Sequence, residues 1–308
     1  MSTAAAPLIH VAGNAVLNVL VRDAGPGEAE AVASWGRGSV RFLDQPVEPA
    51  LGGTAATAGL LGRLGARVTL NAPIGEDAFG ALVRNWLADA GVALVGGAAA
   101  STAVNVILVA ADGTPRWNYH AGQEVDWRRS LAVTDAAWFY ASGYGRATGR
   151  DLGVLREVFG AFRSRGTRVA FDPGPWLFAR STREAMEQAW ARVDCLIGTE
   201  AELSTWHAGD TLAGLIGRLL ALGPRRVVVK RGAAGAACGE AGGDARDLPA
   251  ARVEAAHAVG AGDAFNAALL HALAGGAGLR DAVAAAIRFA TAAVARGKGG
   301  SMPGRTPA

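Results

Sequence analysis

Short apolar runs recur along the chain, and they lack the polar alternation of strands that have one wet face. The runs lie at 8–13, 67–70, 138–140, 169–171, 195–197 and 227–229. Segments with helical spacing separate them, at 55–64, 79–90, 151–163, 182–190 and 212–222. Strands covered on both faces that alternate with helices predict a mostly parallel sheet between two helical layers. On such sheets, ligands bind beyond the carboxyl ends of the strands.

Two segments break this rhythm, at 14–46 and 97–120. In the second, the apolar run 104–109 turns through Asp112-Gly113 into 116–119, which is a strong hairpin signal. We predict that the two segments form a small β-sheet lid on an α/β core made of residues 1–13, 47–96 and 121–308. Trp35 and Trp117 fall within the lid. They either stack on a ligand or pack within the lid or against a second subunit.

Composition narrows the class of protein. The 308 residues are 51% hydrophobic, which suits one large α/β domain with a small appendage. The formal net charge is +3, and the arginines are scattered, so we expect small anionic ligands and not nucleic acid. The two cysteines form no C-x-x-C motif, and neither a secretory leader nor a membrane span stands out. We therefore predict a cytoplasmic protein with no membrane partner.

The stretch Gly260-Ala261-Gly262-Asp263 runs directly into an apolar helix. Glycines let the backbone N–H groups at a helix start approach an anion closely, and Asp263 adds a carboxylate where a general base would stand. An ordinary helix start would also place an aspartate there. The sequence has neither a Rossmann fingerprint nor a P-loop, so other segments must decide.

A second glycine pair, Gly52-Gly53, opens the helical segment at 55–64. It either lets a ligand lie against the backbone or serves tight helix packing. The run 73–80 then combines a turn with an acidic helix start.

At this point the chain resembles the PfkB family of carbohydrate kinases, which has a ribokinase-like fold. The motifs that carry the resemblance occur in order: Gly13-Asn14, Gly52-Gly53, 74–80, 199–202, 229–236, 260–265 and 301–303. The resemblance implies a three-layer α/β/α core with a mostly parallel sheet and a small β-sheet lid. It also implies a phosphotransferase with an alcohol group as acceptor.

The resemblance further implies roles for individual residues. Asp263 would be the general base, and the backbone of Gly260, Ala261 and Gly262 would form an anion hole. Glu202 would help to hold Mg²⁺ through water. The residues expected along ATP are Thr199, Lys230, Gly232 and Gly235. The residues expected to face the substrate, a sugar or sugar-like molecule, are Asn14, Asn18, Gly52, Gly53, Thr57 and Asn105.

Several positions depart from the family pattern. The family usually has an aspartate where Asn18 stands and an asparagine at the positions of Thr57 and Thr199. His257 replaces the aspartate of a D-T-x-G-A-G-D run, which puts the monovalent-cation site of many members in doubt. Two alternatives therefore stay open, namely a nucleoside kinase of the same fold and a catalytically weak ligand-binding or regulatory homologue. An exposed lid face also predicts a homodimer through the lid.

Overall fold

The computed structural model describes residues 6–22, 43–110, 114–207, 209–253 and 258–296. The strands in these segments are β1 (Leu8–Ala12), β2 (Val16–Arg22), β3 (Glu48–Gly52), β4 (Arg67–Asn71), β5 (Ile74–Gly75), β6 (Val92–Leu94), β7 (Ala98–Ala99), β8 (Ala103–Val109), β9 (Pro115–His120), β10 (Trp138–Ser142), β11 (Arg168–Asp172), β12 (Cys195–Thr199), β13 (Arg226–Lys230), β14 (Ala236–Glu240) and β15 (Arg246–Leu248). The α-helices are α1 (Gly53–Arg63), α2 (Ala78–Asp89), α3 (Gly149–Ser164), α4 (Gly174–Arg180), α5 (Arg183–Trp190), α6 (Glu200–Leu203), α7 (Leu212–Ala221), α8 (Ala261–Ala274) and α9 (Leu279–Ala295).

The main sheet has the strand order β15-β14-β13-β12-β11-β10-β1-β4-β6. All of its pairs are parallel from β13 to β6, whereas β14 and β15 add an antiparallel edge. The six apolar runs became six of its parallel strands, which confirms the prediction of a mostly parallel sheet. Because these strands point the same way, their carboxyl ends meet at one edge.

Helices cover both faces of this sheet. One apolar core joins α1, α2, α8 and α9 to one face, and a second core joins α3, α5 and α7 to the other. Both cores are built from fully buried side chains of the strands between them, such as Ile197 on one face and Phe171 on the other. The three-layer α/β/α core is therefore confirmed.

A separate four-stranded sheet, which we call the lid sheet after its predicted role, has the order β3-β2-β8-β9. The hairpin of β8 and β9 pairs antiparallel on both sides of the predicted turn. The lid sheet also includes β3, because Leu17 pairs with Leu51, so it runs past the boundary at 46 to Gly52. Trp35, the Asp112-Gly113 turn, His257 and the 301–303 motif lie outside the described residues.

His10 is a fully buried polar side chain in the middle of the main sheet. Its Nδ1 lies 2.8 Å from Thr69 Oγ1, and its ring stacks on Phe139 with the centroids 5.4 Å apart. Desolvation by burial lowers the pKa of His10 to about 4, although a hydrogen bond with Thr69 opposes the shift. The folded protein therefore holds His10 neutral.

We expect this histidine to make the fold sensitive to mild acid. Below about pH 6.5 the unfolded chain protonates His10 and the folded chain does not, so stability is lost as the pH falls towards about 4. Between pH 7 and pH 5 the loss due to His10 is about 2 kcal/mol. Urea titrations of the wild type and of His10→Phe at both pH values measure it. If both proteins lost the same free energy of unfolding between pH 7 and pH 5, His10 would not be the cause of the loss.

In the described parts of the chain, no helix is long and apolar enough to cross a membrane.

Candidate active site

Polar side chains gather where the parallel strands end. Asn14 follows β1, while Asp172, Thr199 and Lys230 are the last residues of β11, β12 and β13. Ser142 ends β10 between β1 and β11. Because these strands are neighbours in one sheet, residues far apart in sequence come together at its carboxyl edge. The candidate site is therefore at the edge that the topology predicts.

The start of α8 lies at this edge and carries the Gly260–Asp263 motif. Gly260 is the N-cap residue and has φ +80°, a left-handed conformation that glycine adopts without strain. Its carbonyl accepts from the N–H of Ala264, and the N–H of Ala261 donates to Ala258 O at 3.1 Å. The amides of Gly262 and Asp263 belong to the first turn, where a helix supplies no internal acceptor. This turn can therefore bind an anion chiefly through those two amides.

Asp263 is partly exposed to solvent, but protein atoms surround its carboxyl group. Desolvation by burial raises the pKa of Asp263 to about 7. A hydrogen bond from Thr57 Oγ1 to Oδ1 at 3.2 Å and the charge of Lys230 hold the pKa down, while Asp172 adds to the rise. A carboxyl group that titrates near neutral pH can accept a proton from a substrate hydroxyl group.

A buried ion pair lies behind Asp263. Lys230 Nζ lies 2.6 Å from Asp172 Oδ2, and both side chains are buried. Asn266, one turn after Asp263 on α8, donates to Asp172 Oδ2 at 2.8 Å and to Tyr140 Oη at 2.9 Å. Burial lowers the pKa of Lys230, but the charges of Asp172 and Glu202 outweigh this effect and raise it overall. Lys230 therefore stays charged, and Asn266 links the first turns of α8 to this pair at the edge of the sheet.

The glycine pair at the start of α1 makes room for two lid-side asparagines. A Cβ atom on Gly53 would overlap the amide of Asn14, and one on Gly52 would overlap the amide of Asn18. Asn14 Oδ1 accepts from the N–H and the hydroxyl group of Thr54, both at 3.2 Å. The glycines thus serve close packing of polar side chains at the site.

A row of uncharged polar side chains crosses the lid sheet next to the Gly52-Gly53 pair. Asn18 pairs with Asn105 in the neighbouring strand, and Asn105 pairs with Tyr119. Asn105 Nδ2 donates to Asn18 Oδ1 at 3.3 Å, and Asn14 Nδ2 donates to Tyr119 Oη at 3.0 Å. Tyr119 was not among the predicted site residues. Its position two residues after Trp117 in an alternating strand was the available signal, because such residues share a face.

Thr57 and Trp117 lie at opposite extremes of exposure. Thr57 is fully buried, and its hydroxyl group is directed at Asp263. Trp117 is 55% exposed on the outer strand of the lid. The predicted substrate contact of Thr57 stays a prediction.

Thr199 and Glu202 form a capping box at the start of α6. The N–H of Thr199 donates to Glu202 Oε2 at 2.7 Å, and the N–H of Glu202 donates to Thr199 Oγ1 at 3.2 Å. Burial and the charge of Asp172 raise the pKa of Glu202, with Lys230 opposing. The described residues contain no group of three or more His, Cys, Asp or Glu side chains arranged to hold a metal ion.

A cavity of about 770 Å³ opens at the end of β15, and no sequence motif predicted it. In the turn after β13, Gly232 has φ +57° and faces open space. Gly235 has φ +98°, and a Cβ atom there would overlap Leu248 O, so this glycine lets the turn pack on β15. Residues from the end of β15 and from one face of α9 line the cavity, among them Arg246, Leu248, Pro249, Val253, Ile287 and Arg288.

Comparison with known proteins found both a curated relative and solved structures that are similar to this chain. A curated relative, the 2-dehydro-3-deoxygalactonokinase of Haloferax volcanii, is 33% identical over 181 residues, which are 57% of this chain and 56% of the relative. The matched segment thus spans just over half of the relative's length.

Two solved structures share the fold over almost the whole chain. An Arabidopsis thaliana ribokinase complexed with ribose and ATP has a TM-score of 0.72 at 22% identity, covering 94% of this chain and 93% of that one. An Escherichia coli protein assigned as ribokinase II, in complex with ATP and Mg²⁺, has a TM-score of 0.73 at 20% identity with the same coverage. They confirm the ribokinase-like fold.

The family model described as pfkB family carbohydrate kinase matches residues 33–305, which is most of the chain. This is a family of phosphotransferases whose acceptor is an alcohol group. The match agrees with the ordered motifs, the three-layer core and the lid. The chain belongs to the PfkB family of carbohydrate kinases.

Proposed function

We propose that this protein transfers the γ-phosphoryl group of ATP to a hydroxyl group of a sugar or sugar-like molecule. One observation carries the proposal: Asp263, whose pKa is raised to about 7, lies in the first turn of a helix, where the backbone amides have no acceptor within the helix. An anion cradle beside a base of matched pKa is what phosphoryl transfer to a hydroxyl group needs.

The reaction then follows from the positions of these groups. The substrate hydroxyl group gives its proton to Asp263 while its oxygen bonds to the γ-phosphorus atom. The bond from that phosphorus to the β–γ bridging oxygen breaks, and ADP leaves. The first-turn amides of α8, those of Gly262 and Asp263, stabilise charge on the transferred group. Gly260 supplies the left-handed turn that aims these amides.

We assign the cavity at the end of β15 to the nucleotide. Leu248, Pro249 and Ile287 offer apolar surface for a base, and Arg246 and Arg288 bring positive charge. The Gly232–Ala234 turn follows β13, and the next residue, Gly235, packs on Leu248, which lines this cavity. The predicted contacts of Lys230 and Thr199 with ATP remain part of the proposal. Lys230 would contact ATP while it stays paired with the buried carboxylate of Asp172.

Glu202 fits the expected role in holding Mg²⁺. Magnesium usually takes one or two carboxylates and completes its shell with water and phosphate oxygens. The capping box needs only Oε2 of Glu202, so this carboxylate also suits contact through water. When bound, the ion would neutralise charge on the phosphates during transfer. The Escherichia coli neighbour was crystallised with both ATP and Mg²⁺.

The lid row supports a sugar acid as the first substrate to test. Asn18, Asn105 and Tyr119 can all donate hydrogen bonds, and none of them brings a negative charge to repel an acid. The Haloferax volcanii relative is named for a 2-dehydro-3-deoxy sugar acid. The homodimer through the lid, the cytoplasmic location and the monovalent cation remain predictions.

An ADP-release screen tests the proposal. The panel holds neutral sugars, 2-keto-3-deoxy sugar acids and nucleosides, each with and without Mg²⁺ and potassium. We expect Mg²⁺-dependent ADP release with at least one sugar or sugar acid. Release with nucleosides alone would overturn the proposal in favour of a nucleoside kinase. No release with any acceptor, together with binding of ATP in a thermal-shift assay, would favour the regulatory homologue.

A further inference from the structure

A threonine on one helix contacts the proposed base on another. Thr57 lies in the second turn of α1, and its Oγ1 donates to Asp263 Oδ1 at 3.2 Å across 206 positions of sequence. The side chain of Thr57 is fully buried, so solvent does not reach its hydroxyl group. Its hydroxyl group is therefore placed to act on Asp263.

The setting of this hydroxyl group favours a specific role. Its neighbours on α1 are Ala55, Ala56 and Ala58, which are all fully buried and apolar. A threonine hydroxyl group in a helix commonly bonds back to a carbonyl of the preceding turn, whereas this one bonds to a carboxylate of another helix. A buried hydroxyl group is costly without a partner, and packing alone would be served equally well by valine.

The two helices that meet here each begin at a glycine motif. The helix α1 starts at the Gly52-Gly53 pair beside the lid asparagines, and α8 starts at Gly260. The hydrogen bond occupies Oδ1 of Asp263. It thereby fixes the rotation of the carboxylate and leaves Oδ2 to meet a substrate hydroxyl group.

We propose that Thr57 is a positioning residue for the base, and that it locks the Asp263 carboxylate with Oδ1 held and Oδ2 presented to the substrate. This inference rests on the proposed function, because it assigns Thr57 a part in that reaction. It differs from the sequence-based prediction, in which Thr57 touches the substrate itself.

The hydrogen bond has a measurable electrostatic consequence. A donor to the ionised form of a carboxyl group lowers its pKa, so removing the hydroxyl group must raise the pKa of Asp263. The other groups that act on Asp263 within the described residues are Lys230 and Asp172. The phenols Tyr140 and Tyr144 also interact with it. Substitution of Thr57 leaves all four in place.

The test compares Thr57→Val, which keeps the shape and removes the hydroxyl group, with Thr57→Ser, which keeps the hydroxyl group. Thr57→Ala is measured beside them, so the result does not depend on one variant folding. The pKa of Asp263 is read by ¹³C NMR of protein labelled at the aspartate carboxyl carbon. The signal is assigned by its loss in Asp263→Asn.

We expect Thr57→Val and Thr57→Ala to raise the pKa of Asp263 by about one unit. We expect Thr57→Ser to leave this pKa near the wild-type value. At pH 7, kcat of Thr57→Val with the substrate found in the screen should fall several-fold, and it should recover at higher pH. The KM of this variant should change little. An unchanged titration in Val and Ala would overturn the inference. The titration needs no substrate, so this failure is distinct from a screen that finds no turnover.

Discussion

Asp263→Asn should reduce the rate of phosphoryl transfer by about two to four orders of magnitude. Asparagine keeps the shape of the side chain but cannot take the proton from the substrate hydroxyl group. The amides of the first turn of α8 still bind the phosphates, so KM should change little. Steady-state ADP release with the substrate identified in the screen measures both constants.

The loss should not come from unfolding. Burial raises the pKa of Asp263, which means that the fold disfavours the charged carboxylate at neutral pH. Removing that charge should leave the melting temperature at pH 8 equal to or above that of the wild type. Asp281→Asn is the matched control, because Asp281 lies exposed in the first turn of the neighbouring helix α9. Turnover of Asp263→Asn within tenfold of the wild type, or an equal loss in Asp281→Asn, would contradict the assignment.

Lys230→Met should destabilise the protein by about 3–5 kcal/mol. The substitution keeps an unbranched side chain of similar length but leaves the buried carboxylate of Asp172 without its counter-charge. Asn266 would be its remaining partner among the contacts described above, and a single neutral donor compensates a buried charge poorly. Urea denaturation at pH 7.5 measures the loss in the free energy of unfolding.

A double variant separates the ion pair from simple packing. In Lys230→Met combined with Asp172→Asn, no unpaired charge remains, so much of the stability should return. The asparagine introduced by Asp172→Asn would still accept from Asn266 through its carbonyl oxygen. If the double variant were as unstable as Lys230→Met alone, the unpaired charge would not be the cause. If Lys230→Met were as stable as the wild type, the pair would contribute nothing to the fold.

The architecture could be predicted from the sequence because it depends on local patterns. Buried parallel strands give unbroken apolar runs, and segments with helical spacing separated these runs. The Asp112-Gly113 pair likewise located the β8–β9 hairpin. The ordered glycine motifs then identified the family, and Asp263 occurs where the motif puts it, at the start of a helix. These features are each contained within about twenty consecutive residues.

The contacts that tune the site could not be predicted, because they join distant segments. Thr57 reaches Asp263 across 206 positions, and Lys230 reaches Asp172 across 58. Sequence alone suggested a ligand contact for Thr57 and for Lys230. In the structure both side chains are buried, and each contacts a carboxylate, Thr57 that of Asp263 and Lys230 that of Asp172.

The surroundings of the Gly52-Gly53 pair could not be predicted from the sequence either. A sequence can indicate that Gly52 and Gly53 allow a close approach, but not what approaches. In the structure, the amides of Asn14 and Asn18 fill the space that side chains would need. The cavity beside α9 escaped prediction for a related reason, since its walls come from the end of β15 and from a helix more than thirty residues later.

The pH dependence of kcat/KM tests the central claim most directly, namely that Asp263 is a general base poised near neutrality. The base works only when it is ionised, and burial raises its pKa to about 7. We therefore predict that kcat/KM falls about tenfold per unit as the pH drops below 7 and levels off above it. A profile that stays flat down to pH 5 would contradict the account.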